Sequence, residues 1–303
     1  MGKDLIVGVV DNYDWDKIKY WANSIEQSGF AGHKALIVYN MDKTTADKLT
    51  EKQFMLIGCS QYDEEKGFVF VGNTNIMVDR FLHIQNFLAM LDKPMDVNRV
   101  IITDVRDVVF QKNPTEWLDK NYLKSFDIVV GSENMTYDNE PWGKNNLAKS
   151  FGEYFLERKR EHPIYCAGVI AGDLDSIKDF CLNLWLICRG LNPWVEGGGG
   201  PDQAAMNIMI DLEAYHFSTL FTDPSSGWVL HSGTSMPAIK AGSGGIGEEY
   251  IRNPNMEIKF IEDNNYSVVD DSIHINDNMV TILHQWDRVP DWKKMVEAKY
   301  GNS

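Results

Sequence analysis

The sequence predicts an α/β fold in which helices pack on both sides of a mainly parallel β-sheet. Short apolar runs rich in β-branched residues alternate with segments of helical periodicity through the first half of the chain. This alternation is typical of parallel strands joined by crossover helices. The chain has 303 residues, of which 44% are hydrophobic and 24% are charged, and these values exclude a disordered, collagen-like or coiled-coil protein.

Five runs in the first half are predicted strands, and a polar residue follows each of them. The runs are short and apolar, as expected of strands buried on both faces of a parallel sheet. They are Leu5–Val10, Ala35–Tyr39, Met55–Cys59, Val100–Thr103 and Asp127–Gly131. Because ligands bind at the carboxyl ends of the strands in such sheets, we expect the functional site there.

Three helices are predicted between these strands. The first has apolar residues at helical spacing between positions 18 and 25 and ends at Gly29, a residue type that commonly follows helices. The second helix is Thr44–Lys52. The third is Ile76–Leu91, ended by Lys93-Pro94.

The second half of the chain is less regular. Segment 227–247 is rich in Gly and Ser, so a mobile loop over the site is expected there, and the glycine run Gly197–Gly200 suits a lid. The predicted strands are Pro163–Gly172, Ile258–Ile261, Ser267–Val269 and Val280–His284. The predicted helices are Ser176–Arg189, a helix from Asp202 to about Leu212, and a last one from about Asp291.

Two carboxylates follow the fourth predicted strand. The run Val100–Thr103 ends directly at Asp104, and Asp107 comes three residues later, ahead of an apolar triplet that re-enters the core. Two carboxylates held at the end of a rigid strand can bind a hard divalent cation and present it to a diphosphate. The alternative is structural, with Asp104 capping a turn and Asp107 pairing with Arg106.

Three further segments follow this acidic pair along the chain. Residues 165–172 contain an Ala-Gly pair in an apolar strand, residues 200–207 place Asp-Gln at a helix start, and residues 282–288 contain a late strand histidine. Together the four segments resemble the GT-A-fold glycosyltransferases, the nucleotide-diphospho-sugar transferases. The family's Asp-x-Asp element has one residue between its acids where this chain has two, and Cys166 takes the place of the family's Asn.

The resemblance implies a GT-A fold, a Rossmann-like α/β/α sandwich with a mainly parallel central sheet, in one domain over residues 1–303. Residues 1–115 would form the nucleotide-binding half and residues 116–303 the acceptor and catalytic half. The implied reaction moves a sugar from a nucleoside-diphosphate donor, UDP by default with GDP as the alternative, to a hydroxyl of a glycan or other acceptor. The Ala-Gly and Asp-Gln segments look more like those of retaining members.

The resemblance also implies roles for individual residues. The expected metal ligands, for Mn²⁺ or Mg²⁺, are Asp104, Asp107 and His284. The residues expected to contact the nucleotide or its diphosphate are Asp11, Asn12, Tyr13, Arg80, Asp104 and Arg288. The expected catalytic residues are Asp202, as the acid nearest the reacting carbon, and Gln203.

The charge of the chain also favours metal dependence. Lys and Arg number 29 against 44 Asp and Glu, which gives a net charge of −15. Sugar transfer leaves extra negative charge on a diphosphate, and the predicted strand ends carry no obvious cluster of Lys or Arg to neutralise it. A divalent cation is therefore expected. The same acidity argues against a nucleic-acid partner, since it repels phosphate backbones.

Each role has a structural alternative that the sequence leaves open. Asp202 follows a glycine run and suits a helix N-cap. His284 suits an ordinary half-buried strand histidine, and Arg80 suits a surface salt bridge. The other histidines, His231 among them, show no ligand spacing, while Trp228 beside the Gly-rich segment is a candidate sugar platform.

Two other functions compete with sugar transfer. A sugar-1-phosphate nucleotidyltransferase would carry a Gly-rich, basic signature after the first strand, whereas residues 11–15 are acidic and lack glycine. A non-catalytic protein of the same fold that binds sugars or nucleotides is the alternative from a different class.

The remaining features concern the compartment. The N-terminal apolar run is too short for a signal-peptide core or a membrane span, so a cytoplasmic protein without a transmembrane segment is expected. No CxxC spacing occurs among the four cysteines, which predicts buried free thiols in a reducing compartment. The cysteines are Cys59, Cys166, Cys181 and Cys188.

Overall fold

Strands and helices alternate through the first half of the protein, as predicted. The computed structural model describes residues 2–72, 75–91, 96–121, 126–195 and 199–301. The strands are β1 (Lys3–Val10), β2 (His33–Val38), β3 (Met55–Gly58), β4 (Gln61–Asp63), β5 (Gly67–Val69), β6 (Val97–Thr103), β7 (Val108–Phe110), β8 (Ile128–Thr136), β9 (Pro163–Asp173), β10 (Thr219–Thr222), β11 (Val229–His231), β12 (Tyr266–Val269), β13 (Ser272–Ile275), β14 (Asn278–Met279) and β15 (Ile282–His284). The helices are α1 (Trp15–Gln27), α2 (Lys43–Glu51), α3 (Ile76–Met90), α4 (Pro114–Asn121), α5 (Pro141–Phe151), α6 (Glu153–Lys159), α7 (Leu174–Cys188), α8 (Asp202–Met209), α9 (Glu213–His216), α10 (Met236–Lys240), α11 (Gly244–Arg252) and α12 (Pro290–Tyr300).

A mainly parallel sheet forms the centre of the fold. Within the described residues it has seven strands in the order β10-β8-β9-β6-β1-β2-β3. Every neighbouring pair is parallel except the two that involve β9, which runs antiparallel to both β6 and β8. Helices cover both faces, so the protein has the Rossmann-like GT-A α/β/α architecture. The predicted fold class is confirmed.

Alternate residues of the central strands pack into two separate hydrophobic cores, one on each face of the sheet. Leu5 and Val7 of β1 pack with residues of α3, α7 and α8 on one face of the sheet. Ile6 and Val10 of the same strand pack with residues of α1, α2 and α4 on the other face. Helices thus cover both faces of the sheet. Because side chains on both faces are buried, the strands are continuous apolar runs in the sequence.

One buried hydrogen bond connects helix α1 to the end of strand β6. The indole Nε1 of Trp21 donates to the hydroxyl of Thr103 across 2.9 Å, and both side chains are buried. Thr103 is the last residue of β6 and immediately precedes Asp104. The hydrogen bond therefore holds the strand end that carries the predicted metal ligands.

A second, smaller sheet lies beside the carboxyl end of β6. Its order is β11-β15-β7, with β15 parallel to β11 and antiparallel to β7. The register places His284 next to His231 on one side and next to Val108 on the other. This small sheet brings the late strand of the chain alongside the Asp104–Asp107 turn.

The predicted mobile loop over residues 227–247 is wrong, because most of this segment is regular structure. It contains β11, a short 3-10 helix at Ser232–Thr234, helix α10 and the start of α11. Apolar residues hidden among the glycines and serines pack into the core, Leu230 and Ile239 being almost fully buried. Trp228 is completely buried, with its ring centroid 4.8 Å from that of Trp117, so it cannot serve as a sugar platform.

Two further predictions are wrong, one of a strand and one of the end of a helix. Residues 258–261 form no strand; the backbone N–H of Ile261 donates to the carbonyl of Asn134 across 3.0 Å, and the next residue, Glu262, hydrogen-bonds to the Asn134 side chain. The helix that begins at Asp202 ends at Met209, and a short helix follows it. Lys93-Pro94, predicted to end the third helix, and Gly197 and Gly198 of the glycine run lie outside the described residues.

The cysteines are free, as predicted. Three of them are buried and Cys59 is partly buried, where burial raises the pKa of its thiol to about 11. No helix in the described part of the chain has the length and apolar character needed to cross a bilayer.

Candidate functional site

The site begins at the turn between β6 and β7. The backbone N–H of Asp104 donates to the carbonyl of Gly168 on β9 across 2.8 Å. Asp107, a buried residue, ends the turn, and its carbonyl accepts from the backbone N–H of Gln285 across 2.7 Å. The main chain at both aspartates is thus fixed, by β9 at Asp104 and by the residue that follows β15 at Asp107.

His284 lies beside these two carboxylates. Its Nε2 is 3.6 Å from Oδ2 of Asp104 and 3.9 Å from Oδ1 of Asp107. The side chain is almost fully buried, so the half-buried alternative is wrong. The three side chains offer ligand atoms that all lie within 4.8 Å of one another. Two carboxylate oxygens and one imidazole nitrogen this close together could hold a divalent metal ion.

Arg80 lies between two carboxylates. Its Nη1 is 2.5 Å from Oδ1 of Asp104, and its Nη2 is 2.6 Å from Oδ2 of Asp202. The Arg80 side chain is only 12% exposed, so the surface salt bridge is wrong. Arg80 occupies one oxygen of Asp104 and leaves the other oxygen facing His284.

Asp202 is the first residue of α8 and makes no capping hydrogen bond. The N-cap position is Pro201, and no side chain caps the helix. The N-cap alternative for Asp202 is therefore wrong, since its carboxylate turns to Arg80 instead. Through Arg80, Asp202 is connected to the same carboxylate that faces His284.

Charge and burial act differently on the two carboxyls that Arg80 contacts. Burial alone would raise the pKa of Asp104, but Arg80 and His284 outweigh it and lower that pKa well below its ordinary value. Burial raises the pKa of Asp202, and the neighbouring Asp104 adds to that shift while Arg80 opposes it. Asp104 is therefore ionised at neutral pH, as a metal ligand must be.

A second histidine, which the sequence reasoning missed, completes this corner of the site. The Nδ1 atoms of His231 and His284 are 2.9 Å apart, and both rings are buried. Sγ of Cys166 is 3.7 Å from the same His284 nitrogen. Burial and the adjacent His284 lower the pKa of His231 well below its ordinary value, so His231 is a neutral imidazole.

A sequence signal for His231 was present. The triplets 229–231 and 282–284 share one pattern, an aliphatic residue, then Leu, then His. In register on adjacent parallel strands, such triplets place their histidines side by side.

A cavity of about 680 Å³ opens beside the two aspartates. This volume is typical of a site for a small organic ligand. The described residues that line it include three predicted ones with positive charge or an aromatic ring, Tyr13, Arg80 and Arg288. Its charged lining residues are Arg80, Arg106, Arg288, Asp104, Asp107, Glu133, Glu140 and Glu248.

The expectation that no basic cluster lies at the strand ends needs correction, because three arginines line the cavity. Each of them has a carboxylate within 4.0 Å, however. Arg106 lies 3.3 Å from Asp107, and Arg288 lies 3.7 Å from Asp287. The guanidinium charges are thus largely matched by acids, and the cavity lining keeps more carboxylates than guanidinium groups.

Part of this site lies in a region that resembles a known family. Residues 31–170 match the family model for nucleotide-diphospho-sugar transferases. This match supports the nucleotide-diphospho-sugar transferase superfamily for residues 31–170. No curated protein matches the chain. The family of the matched region supports a general role in sugar transfer, with a nucleotide-sugar donor and an acceptor as substrates.

The matched region contributes only part of the candidate site. It includes Arg80, Asp104 and Asp107, whereas Asp202 and His284 lie beyond its end. The association of these later residues with the matched region rests on the contacts described above.

A buried carboxyl group that was also missed from the sequence lies on another wall of the cavity. Oε1 of Glu133 accepts from the side-chain amide of Gln203 across 3.1 Å, and both residues line the cavity. Burial and the nearby Glu140 raise the pKa of Glu133 to about 7. A carboxyl group with such a pKa can exchange a proton at neutral pH. Trp142 contributes an aromatic ring to the same cavity.

Two residues predicted to contact the nucleotide do not line the cavity in the described structure. Oδ1 of Asp11 accepts from the side-chain amides of Asn12 and Asn40, across 3.0 and 2.7 Å. Asn12 is exposed. Tyr13, the next residue, does line the cavity.

Gly168 provides the space that the His284 ring occupies, which yields a testable prediction. A Cβ at position 168 would lie 2.4 Å from Cε1 of His284 and 2.9 Å from each ring nitrogen. Gly168→Ala should therefore displace the ring from the two aspartates and weaken Mn²⁺ binding roughly 10-fold or more, as losses of ligand orientation do. Free Mn²⁺ measured by electron paramagnetic resonance reports the affinity.

Gly190→Ala is the matched control for that substitution. A Cβ at Gly190 meets only the carbonyl oxygen of Ile187, at 3.9 Å, so this variant should bind Mn²⁺ like the wild type. Equal Mn²⁺ affinity in Gly168→Ala and the wild type would show that His284 does not need its observed position.

Proposed function

We propose that the protein is a metal-dependent glycosyltransferase. It moves a sugar from a nucleoside-diphosphate donor, UDP by preference, to a hydroxyl group of a glycan or other acceptor. The observation that carries this proposal is the convergence of Asp104, Asp107 and His284 beside a cavity of about 680 Å³. Retention of configuration is part of the proposal and is supported by the resemblance of the Ala167-Gly168 and Asp202-Gln203 segments to retaining enzymes.

The proposed cation is Mn²⁺ or Mg²⁺, bound by Asp104, Asp107 and His284. When bound, it would neutralise negative charge that develops on the diphosphate as the sugar leaves. The protein's own part is to keep the Asp104 carboxylate ionised and oriented, which the buried guanidinium of Arg80 supports. Asp202 holds the second end of that guanidinium.

The proposed donor contacts lie on the side of the cavity near the first strand. Tyr13 lies in the loop between β1 and α1 and lines the cavity, and its proposed role is to stack on the nucleotide base. Arg288 lines the cavity with its side chain 46% exposed, which leaves it able to contact a phosphate. Asp11 and Asn12 are proposed to support this loop, since their side chains hydrogen-bond to each other and Asp11 also bonds to Asn40.

The proposed acceptor side is the wall that carries Glu133, Trp142 and Gln203. Aromatic rings and hydrogen-bonding side chains are the usual elements of a sugar subsite. Asp202 remains our proposal for the acid nearest the reacting carbon. We further propose that residues 1–115 and 116–303 act as one unit, since both segments line the cavity.

Thermal unfolding in the presence of nucleotides tests the proposal. UDP and GDP are added separately, each with and without Mn²⁺, because the base and the metal requirement are then read together. A ligand at 100 times its Kd adds about 2.7 kcal/mol to the free energy of unfolding, which is readily detected. We expect stabilisation by UDP only when Mn²⁺ is present.

The other outcomes of that experiment are equally informative. Equal stabilisation by UDP with and without Mn²⁺ would contradict the proposal that donor binding needs the cation. Stabilisation by GDP alone would correct the base, and no shift with either nucleotide would contradict the proposed donor class.

A further inference from the structure

His231 and His284 form a buried pair whose geometry restricts where their protons lie. The two Nδ1 atoms are 2.9 Å apart, a hydrogen-bond distance, and the ring planes are nearly perpendicular at 89°. A hydrogen bond between two imidazole nitrogens needs one ring to donate and the other to accept. The pair is held in place by the β11–β15 register, in which His231 and His284 are direct neighbours.

The other nitrogen of His284 faces the two aspartates. To bind a cation there, Nε2 must present its lone pair, so the ring proton must be on Nδ1. In that state Nδ1–H of His284 points at Nδ1 of His231, which must accept it. Metal-binding histidines almost always donate their second ring N–H to a carboxylate, a backbone carbonyl or water, and this acceptor sets the tautomer and the ring orientation. Here the nearest acceptor is Nδ1 of His231.

We propose that His231 is the positioning residue that orients His284 and keeps its Nε2 available to a divalent cation. This inference rests on the proposed metal site. Cys166 is the other group near the same nitrogen, but its Sγ is 3.7 Å away and a thiol is a weak hydrogen-bond partner. The short, buried contact to His231 is therefore the dominant one.

Mn²⁺ affinity without any nucleotide tests this role directly. In His231→Leu the acceptor is gone, and we expect Mn²⁺ to bind roughly 10–100-fold more weakly, the usual range for loss of such a partner. In His231→Gln the amide oxygen can still accept from Nδ1–H, so its affinity should stay close to that of the wild type. Cys166→Ala is the matched control on the other side of His284 and should also bind nearly normally.

A spectroscopic measurement gives a second readout that does not depend on affinity. With ¹⁵N-labelled histidine, long-range ¹H–¹⁵N spectra distinguish the two neutral tautomers of each ring. Under saturating Mg²⁺, which is diamagnetic, we expect His284 in wild type and in His231→Gln to carry its proton on Nδ1.

The outcomes separate this inference from the proposed function. If the wild type binds no Mn²⁺, the metal site itself fails and the role of His231 with it. If the wild type binds Mn²⁺ and His231→Leu binds it equally well, only the positioning role is overturned. Weak binding by both His231→Leu and His231→Gln, with the wild-type tautomer of His284 kept in each, would also overturn it, because His231 would then act by filling space.

Discussion

Asp104→Asn should abolish metal-dependent release of nucleoside diphosphate from a sugar nucleotide. The substitution keeps the shape of the side chain but removes its negative charge. In the wild type, Arg80 and His284 keep the Asp104 carboxyl group ionised. A cation that polarises phosphoryl oxygens supplies several kcal/mol of charge stabilisation, so its loss should lower the rate about 10³-fold. The measurement is release of UDP or GDP from a panel of their sugars, together with Mn²⁺ affinity.

Glu133→Gln is the matched control for that variant. It makes the same change of carboxyl to amide in the same cavity, but on the wall that contacts Gln203. It should therefore bind Mn²⁺ normally, whatever its effect on the rate. If Asp104→Asn and the wild type release nucleoside diphosphate equally slowly, the protein is a non-catalytic binder of the same fold. If both release it equally fast, Asp104 is not a metal ligand.

Arg80→Leu should cause a large loss of stability. Arg80 is buried between two carboxylates, and the Asp202 side chain is only 9% exposed. Breaking a buried ion pair by removing one partner costs about 3–5 kcal/mol, because the remaining charge is left uncompensated. Urea unfolding measures the change in the free energy of unfolding.

Two variants test the physical reason for that loss. Arg106 also lines the cavity and pairs with Asp107, but its side chain is 48% exposed, so Arg106→Leu should cost about 1 kcal/mol at most. Adding Asp202→Asn to Arg80→Leu should restore part of the stability, since it removes one of the two carboxylate charges that lose their partner. An Arg80→Leu variant as stable as Arg106→Leu would contradict the buried arrangement.

Six of the seven described strands of the central sheet, all except β10, could be predicted because their signals are local. Each of the runs from Leu5–Val10 to Asp127–Gly131 shows its apolar character within a few residues, and strands lie at all of them. The Asp104–Asp107 turn follows directly from one such strand. One short segment of sequence therefore predicts both the end of the strand and the candidate metal ligands that follow it.

The rest of the site depends on contacts between distant residues, which no local pattern specifies. The sequence shows Arg80 on a helix and Asp202 at the start of another, but only the packing of α3 against the end of β6 makes Arg80 the bridge between two acids. Glu133 lies in β8 between Ser132 and Asn134, and the sequence does not show that its side chain is buried and lines a cavity. The Gly and Ser content of residues 227–247 outweighed the short Val-Leu-His run, so β11 and His231 were missed.

Because β15 pairs with β7, the proposed metal site can form only after the last part of the chain has been synthesised. Asp104 and Asp107 leave the ribosome long before Ile282–His284, the strand that lies against Val108–Phe110. A nascent chain therefore has the two acids without the imidazole, and contacts between such distant segments form late in folding. Only when the late strand has joined the small sheet are the three proposed ligands together, so the unfinished chain cannot bind the cation as the complete protein is proposed to do.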